Sequence, residues 1–307
     1  MRIAFFGTPS FAIPSLVALL ESDEEVVAVV TQPDKRRGRD RLLSPSPVKE
    51  LALRHNRTIL QPLTLKDASF LDELASTKPD LIVVVAYGKI LPPSILALPP
   101  GGCINVHASL LPKYRGAAPI QWSLINGEKT TGVTTMFMDE GLDTGDILMQ
   151  EEVPIDDDDT AESLGSKLAE RGASLLIRTL QRLKDGSIER TPQRGAPTYA
   201  PPIRKEDGRI RWSKPAVAIS NMVRGMYPWP CAYCYLGGER IKIMRARAVD
   251  GSGTPGKIER ADRELVVGTG EGLLHIIELQ PEGKRVMSAG EFLRGRSLPE
   301  GTFFDEH

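Results

Sequence analysis

The sequence predicts an α/β protein with a doubly wound, mostly parallel sheet in its N-terminal part and a small β-barrel in its C-terminal part. Up to about residue 184, short apolar runs alternate with amphipathic helical stretches. A proline-rich stretch follows, and the apolar runs beyond it are short and separated by Gly and Pro. The length of 307 residues is sufficient for two domains of roughly 150 residues each.

Four nearly continuous apolar runs predict the parallel strands. Such runs are typical of strands that helices cover on both faces of a sheet. The predicted strands are Arg2–Phe6, Glu25–Val30, Leu81–Val85 and Cys103–His107. In sheets of this kind ligands bind beyond the carboxyl ends of the strands, so the residues that follow these four runs are the first candidates for a site.

The proline-rich stretch predicts a boundary between two domains. Pro192, Pro197, Pro201 and Pro202 cannot continue a helix or a central strand, which favours a stiff linker. We therefore predict a catalytic domain over residues 1–190, a linker over 191–203 and a β-barrel domain over 204–307. A helix over Ala216–Met226 opens the second domain. The strands predicted after it are Arg240–Val249, Gly256–Arg260, Glu264–Val267 and Leu273–Leu279.

Composition and short motifs exclude several classes of protein. No apolar run reaches the roughly 18 residues that a membrane span needs, and the apolar start gives way to Gly7 and Pro9 instead of forming a signal peptide. The single CxxC of Cys231 and Cys234 offers too few ligands for zinc. Four aspartates at 156–159 could attract a metal, but they precede a predicted helix, and acidic residues near a helix N-terminus interact favourably with the helix dipole. We expect a cytoplasmic protein with no metal and no membrane partner.

Two polar residues share one face of the last predicted strand. Side chains alternate along a strand, so Asn105 and His107 point away from Ile104 and Val106 and lie roughly 7 Å apart. One interpretation is a buried histidine bonded to its neighbour, and the other is an amide and an imidazole beside a reacting carbonyl. A glycine-rich turn contributes Asp143, either as an ordinary turn residue or as a third member of this site.

Basic residues are concentrated in two places although the net charge is −1. The segment 34–41 holds five bases and two acids directly after the second strand, which is either a solvated loop or a surface for phosphate groups. Residues 204–299 contain 17 bases and 11 acids. The candidates there are Arg204, Lys205, Arg209, Arg211, Arg240, Lys242, Arg245 and Arg247.

Three segments carry a resemblance to a known family. Residues 105–112, 114–120 and 142–146 contain Asn105, His107 and Asp143 in an order and spacing that resemble the formyltransferase family that uses 10-formyltetrahydrofolate. Nearly the whole chain is similar to the members of that family that formylate an aminoacyl-tRNA. This closer resemblance rests on residues 6–12, 31–34, 44–49 and 84–88.

The resemblance implies an enzyme with a Rossmann-like N-terminal domain and an OB-like C-terminal barrel that helps to hold tRNA. Its reaction would transfer the formyl group of 10-formyltetrahydrofolate, released as tetrahydrofolate, to the amine of methionine on initiator tRNA. Catalysis would fall to Asn105, His107 and Asp143, and we expect a monomer. The implied folate contacts are Tyr87, Gly88, Leu91, Ser109, Leu110, Leu111, Pro112, Asp139 and Gly141. The implied tRNA contacts are Lys35, Arg36, Arg37, Arg39 and Arg41, with Arg39 at the position of the family's key arginine.

Two other functions are compatible with the same residues. Relatives that share the three catalytic residues formylate amino-sugar nucleotides or ribonucleotide amines, or hydrolyse formyl-folate. A protein that binds RNA without catalysis could also use this scaffold. The basic segment 34–41 and the turn at Gly7-Thr8-Pro9 favour a tRNA substrate over the first group, and the intact set of three residues disfavours the second.

Overall fold

The computed structural model describes residues 1–37, 42–296, 298–299 and 301–305. The chain forms two compact units. The first contains Met1–Pro119, Thr130–Pro154 and Gly165–Ala200. The second contains Ile120–Lys129, Ile155–Leu164 and the region from Pro201 onward.

The elements up to residue 200 follow the predicted alternation of strands and helices. In chain order they are β1 (Arg2–Gly7), a 3-10 turn (Ser10–Ala12), α1 (Ile13–Leu20), β2 (Glu25–Val30), β3 (Lys35–Arg37), β4 (Leu42–Ser44), α2 (Pro47–Arg54), β5 (Ile59–Leu60), α3 (Ala68–Ser76), β6 (Leu81–Val85), α4 (Pro93–Leu96), β7 (Cys103–His107), β8 (Arg115–Gly116), α5 (Pro119–Ile125), β9 (Thr130–Phe137), β10 (Ile147–Pro154), α6 (Ala161–Lys184) and β11 (Tyr199–Ala200).

The first unit is built on a seven-stranded sheet in the order β10-β9-β7-β6-β1-β2-β5. Strands from β7 to β5 are parallel, whereas β9 and β10 are antiparallel to their neighbours. The segment 138–146 between β9 and β10 is too short for the crossover of a dozen or more residues that a parallel pair would need. The predicted mostly parallel sheet is therefore confirmed, with an antiparallel edge.

Both faces of this sheet are covered, as continuous apolar strands require. On β1, Ile3 and Phe5 belong to one buried cluster, together with residues of α1, α2 and α6. Ala4 and Phe6 point the other way and pack with residues of α3 and α4. The polar groups of the site must therefore lie where the strands end, because the faces themselves are filled.

The ends of three strands are joined by the carbonyl oxygen of Tyr87, which follows β6. The hydroxyl of Thr8, after β1, donates to this oxygen at 3.3 Å, and the amide Nε2 of Gln32, after β2, donates to it at 2.8 Å. The carboxyl ends of the parallel strands thus meet at one edge, as the sequence predicted.

The stem of the basic segment is a short hairpin of β3 and β4. Its base is fixed by Asp34, whose carboxylate accepts hydrogen bonds from Lys49 Nζ at 2.7 Å and from Gln61 Nε2 at 2.8 Å. These two contacts lower the pKa of Asp34 below its usual value. Asp34, which directly precedes β3, is therefore bonded both to α2 and to the residue after β5.

The proline-rich segment is bonded to the first unit on both sides of its centre. Thr191 exchanges two backbone hydrogen bonds with Ile147, at 2.8 and 2.9 Å. Further along, β11 pairs with β8 in parallel register. The residues between these two attachments are consequently held across the loops that follow β7 and β9.

The second unit contains one further set of elements from residue 201 onward. In chain order they are a 3-10 turn (Glu206–Gly208), α7 (Ala216–Met226), β12 (Ala232–Leu236), β13 (Glu239–Val249), β14 (Ile258–Ala261), β15 (Leu265–Gly268), β16 (Leu273–Pro281), β17 (Met287–Ser288) and α8 (Ala289–Arg294). The sheet has the order β12-β13-β16-β15-β14, with β17 paired to β16, and every pair is antiparallel. This confirms the predicted antiparallel β domain, to which the structure adds β12, β17 and α8.

The segment 302–305 closes this sheet between its two edge strands. At one side the amide of Ile258 donates to the carbonyl of Thr302, and the amide of Phe304 donates to the carbonyl of Gly256, both at 2.9 Å. At the other side the amide of Asp305 donates to the carbonyl of Tyr235 at 2.8 Å. The Phe304 ring is 1% exposed and stacks on Trp212 with centroids 5.2 Å apart.

Within the described residues, no helix combines the length and the apolar character that crossing a membrane would demand.

Replacing Phe304 by Ala should lower the free energy of unfolding by about 3 to 5 kcal/mol, because it empties a buried aromatic site and frees the closing segment. Urea denaturation of the two variants Phe304→Ala and Phe303→Ala measures this. Phe303 is the matched control, since its side chain is 47% exposed. Equal stability of the two variants would contradict a role of Phe304 in holding the closing segment.

Candidate active site

The polar face of β7 carries Asn105 and His107 at the edge where the strands end. Ile104 and Val106 belong to the apolar cluster on the opposite face, so the alternation predicted from the sequence is present. Asn105 is half-buried and lies in register with Val84 of β6 and Met136 of β9. No described residue hydrogen-bonds to its side-chain amide, which leaves both of its N–H groups able to donate to a ligand.

The position of the His107 ring is fixed by a backbone carbonyl. His107 is 6% exposed, and its Nε2 lies 2.9 Å from the carbonyl oxygen of Tyr114. Because a carbonyl only accepts, Nε2 must carry a hydrogen. The other nitrogen, Nδ1, lies 3.8 Å from the Oδ2 atom of Asp143. Nδ1 is therefore the ring nitrogen that the backbone leaves available, and it faces a carboxylate.

Asp143 is held in a strained backbone conformation. Its φ of 52° lies in the left-handed region, which a non-glycine residue seldom adopts. The amide of Gly116 donates to Oδ2 at 2.8 Å and fixes the carboxylate. The turn itself needs Gly145, because a Cβ atom there would lie 1.9 Å from the carbonyl oxygen of Phe137. Asp139 completes the turn by accepting from the amide of Gly141 at 3.0 Å.

Hydrogen bonds of buried polar groups stabilise the loop after β7. The hydroxyl of Ser109 donates to the carbonyl of Lys113 at 2.6 Å. Leu111 is tied down at both backbone groups: its amide donates to Thr134 Oγ1 at 3.2 Å, and its carbonyl accepts from Gln150 Nε2 at 2.9 Å. Ser109 and Leu111 are buried, whereas the predicted folate contacts Leu110 and Pro112 are half-buried. These bonds hold the loop that supplies the carbonyl of Tyr114.

The remaining predicted folate residues lie in two loops beside a cavity of about 500 Å³. Leu91 lines it from the loop after β6, and Glu140 lines it from the loop after β9. Tyr87 does not line it and is 1% exposed, packed edge-on against Phe6. Gly88, Asp139 and Gly141 are exposed and also lie outside the lining. The other lining residues are Leu63, Thr64, Leu65, Lys66, Lys89, Ile90, Pro92 and Pro93.

The buried hydroxyl of Tyr87 has no hydrogen-bond partner among the described residues. Burial also raises the pKa of Tyr87 to about 12. A buried hydroxyl without a partner destabilises the folded state, so the hydroxyl of Tyr87 lowers the stability of the protein.

Three of the five predicted tRNA contacts lie on β3, over Lys35–Arg37. Lys35 is exposed, and its Nζ donates to Oε1 of Gln32 at 2.7 Å. Arg36 and Arg37 form the rest of β3 by their backbone. Arg39 and Arg41 lie outside the described residues.

Bases in the second unit interleave with aromatic rings. The guanidinium of Arg240 lies 3.9 Å from the centroid of the Tyr233 ring, and that of Arg209 lies 5.7 Å from the Tyr235 ring. These contacts hold Arg240, on β13, and Arg209, which directly follows the 3-10 turn Glu206–Gly208, against two tyrosine rings of β12. The other predicted bases of this unit are exposed or half-buried.

The three cysteines are buried free thiols. Burial raises the pKa of Cys231 and of Cys234, and each Sγ contacts a backbone carbonyl, of Pro228 and Ile241 respectively. In the described part of the chain, no group of three or more His, Cys, Asp and Glu side chains has an arrangement that could hold a metal ion.

Two residues at this site were not assigned from the sequence. The guanidinium of Arg115 donates to the side-chain amide of Gln193, and that amide in turn donates to the loop of Asp143. Arg115 lies inside a motif that the sequence did point to, whereas Gln193 lies in the predicted linker and had no signal of its own.

The family of the chain follows from its two domains. Residues 1–180 match the family described as formyl transferase, and residues 202–297 match the formyl transferase C-terminal domain. The matched segments contain the strand end with Asn105 and His107, the Asp143 turn and the antiparallel barrel. The chain therefore belongs to the formyl transferase family, as its motifs predicted.

Relatives of known name match the chain from end to end. The methionyl-tRNA formyltransferase of Thermodesulfovibrio yellowstonii is 54% identical over 97% of this chain and 97% of its own length. The methionyl-tRNA formyltransferase of Pelotomaculum thermopropionicum is 54% identical over 100% of this chain and 99% of its own length.

A solved structure shows the same fold at lower identity. The N-formyltransferase from Helicobacter canadensis, crystallised with folinic acid and dTDP-3-aminofucose, is 21% identical with a TM-score of 0.70. The match covers 90% of this chain and 98% of that one.

Replacing Tyr87 by Phe should raise the free energy of unfolding by about 1 kcal/mol, because the variant no longer buries an unpaired hydroxyl. Urea denaturation monitored by fluorescence gives the value. Tyr199→Phe is the control, since Tyr199 is 61% exposed and its hydroxyl is solvated. A clear loss of stability in the Tyr87 variant would mean that this hydroxyl has a partner in solution.

Proposed function

We propose that this chain transfers the formyl group of 10-formyltetrahydrofolate to the α-amino group of methionyl-initiator tRNA, giving N-formylmethionyl-tRNA and tetrahydrofolate. The observation that carries the proposal is the grouping of Asn105, His107 and Asp143 at one strand end. The chain that holds this group is 54% identical over nearly its full length to enzymes named for this reaction. We further propose that the enzyme works in the cytoplasm, where charged tRNA is found, and that it works as a monomer, since all three groups come from one chain.

The residues present suit a folate co-substrate. The cavity of about 500 Å³ has the size of a small-molecule site, and its lining combines six apolar residues with Thr64, Lys66, Lys89 and Glu140. It lies at the two loops from which Leu91 and Glu140 come, which are the loops predicted to surround the pterin. When bound, the folate would supply the formyl carbon that the amine attacks, and the bond from this carbon to the folate nitrogen would break as that nitrogen takes up the proton that the amine has lost.

Asn105 and His107 are proposed to stabilise the formyl oxygen as negative charge develops on it. The side-chain amide of Asn105 has both N–H groups available for donation. Since Nε2 of His107 already donates to Tyr114, the proton that His107 offers must be on Nδ1. Each such donor in a water-poor site lowers the barrier by about 3 to 4 kcal/mol.

Asp143 is proposed to favour the charged form of His107 and to accept the proton that the amine loses. Its Oδ2 faces Nδ1 at 3.8 Å, which is longer than a direct hydrogen bond. Catalytic contacts of this kind often shorten only when the substrates bind. A carboxylate fixed by the amide of Gly116 can receive the proton directly or through one water.

The tRNA is proposed to bind through bases on both units. The β3–β4 hairpin and the residues predicted beyond its stem, including Arg39 and Arg41, supply the first group. The second group includes Arg209 and Arg240 on the barrel, at positions fixed by stacking. Phosphate contacts of this kind weaken steeply as the salt concentration rises.

The direct test offers the purified chain 10-formyltetrahydrofolate with one amine at a time: methionyl-initiator tRNA, an amino-sugar nucleotide or a ribonucleotide amine. We expect formylation of the charged tRNA alone. Transfer to either of the other amines would redirect the substrate assignment. Binding of tRNA without any formyl transfer would instead favour the RNA-binding alternative.

Replacing Asn105 by Ala should lower kcat about 10²- to 10³-fold and leave folate affinity nearly intact, because the lost donor acts on charge that develops only during the reaction. Steady-state kinetics and tetrahydrofolate titration measure the two quantities. Near-normal turnover would remove the oxyanion role from Asn105.

Replacing Arg39 by Ala should raise the KM for charged tRNA roughly five- to tenfold and leave folate binding unchanged, because one phosphate contact is lost. The control is Arg182→Ala, which removes an exposed base from α6. If both variants show unchanged tRNA kinetics, the basic segment is only a solvated loop.

A further inference from the structure

We infer that Gln193 is a positioning residue for the reaction, which sets the place of the Asp143 carboxylate relative to His107. The expected effect on catalysis rests on the proposed function. The observation behind it is a set of four side-chain hydrogen bonds that join two loops of the site.

The amide of Gln193 uses all of its polar groups. Its Nε2 donates to the carbonyl of Asp143 at 2.8 Å and to the carbonyl of Gly145 at 2.9 Å. Its Oε1 accepts from Nε of Arg115 at 3.1 Å and from the Nη2 atom of Arg115 at 2.6 Å. A flipped amide would turn an oxygen toward two carbonyls and an NH2 toward a guanidinium, so only one orientation satisfies the network.

The bonds act where the Asp143 turn needs support. A residue with a φ of 52° keeps that conformation only if its surroundings determine it. Gln193 holds the backbone carbonyl of Asp143, and the amide of Gly116 holds its carboxylate. Arg115 directly precedes Gly116. The Gln193 side chain therefore bonds both to the Asp143 turn and to the segment whose amide donates to the Asp143 carboxylate.

The segment that carries Gln193 is itself immobilised. Thr191 is bonded to Ile147 on one side, and β11 pairs with β8 on the other. Gln193 is half-buried between these attachments, while its neighbour Arg194 is exposed. A half-buried amide that makes four hydrogen bonds from a fixed segment is suited to positioning other groups. Gln193 does not contact His107 or Asn105, so it is not itself a reacting group.

The decisive variant is Gln193→Glu. It keeps the length of the side chain and the acceptor for Arg115, but an ionised carboxylate cannot donate to the two carbonyls. Gln181→Glu is the matched control, since it adds the same charge at an exposed position on α6. Gln193→Leu removes donor and acceptor together and serves as a second variant.

We expect both Gln193 variants to lower kcat about 10- to 100-fold while the KM values for folate and charged tRNA stay within about threefold, because a displaced catalytic group impairs the reaction more than binding. Thermal unfolding shows whether each variant is folded. If Gln193→Leu does not fold, the kinetics of Gln193→Glu alone test the inference. A wild-type kcat in folded Gln193→Glu, or a loss of activity through KM alone, would overturn the inference.

Hydrogen exchange tests the positioning role of Gln193 without measuring catalysis. The backbone amide of Gly116 and the amides of residues 139–146 should exchange faster in Gln193→Glu than in the wild type and in Gln181→Glu. Unchanged exchange would overturn the positioning role. If the wild-type chain forms no formylmethionyl-tRNA, the proposed function fails, and the exchange result still decides whether Gln193 fixes the Asp143 turn.

Discussion

The two end residues of the segment Tyr114–Gly116 hold both members of the His107–Asp143 pair. The carbonyl of Tyr114 fixes the imidazole, and the amide of Gly116 fixes the carboxylate. A hydrogen bond to a charged group contributes about 1.5 to 3 kcal/mol, whereas a left-handed backbone at a non-glycine residue costs about 1 to 2 kcal/mol. The bond is therefore strong enough to keep the strained turn in place, and the geometry of the site follows from this short segment.

Much of this arrangement could be predicted because it depends on local periodicity. Alternation on β7 placed Asn105 and His107 on one face, and parallel pairing brought the strand ends to a common edge. Gln193 could not be found in this way, because its partners lie about 50 and 78 residues earlier in the chain. The two-residue strands β8 and β11 were also missed, since so short a pairing leaves no periodic signal.

Several residues that the motifs associate with the folate site have a structural task in this protein. Ser109 and Leu111 are buried and use their polar groups to satisfy the loop after β7, and Tyr87 packs in the apolar cluster beneath the strand ends. A buried loop must pair its backbone groups, so part of a ligand-binding motif is needed to shape the loop. A motif therefore contains residues that shape the loop as well as residues that are predicted to touch the ligand.

The closing segment of the barrel has a consequence for the order of folding. Residues 302–305 follow every strand that they join, so the edges of β12 and β14 have no partner at those positions until this part of the chain has been synthesised. Unpaired strand edges are the places where chains associate wrongly. The strands of the first sheet all lie within residues 1–154, whereas the closure of the barrel needs a segment that is made after all the strands it joins.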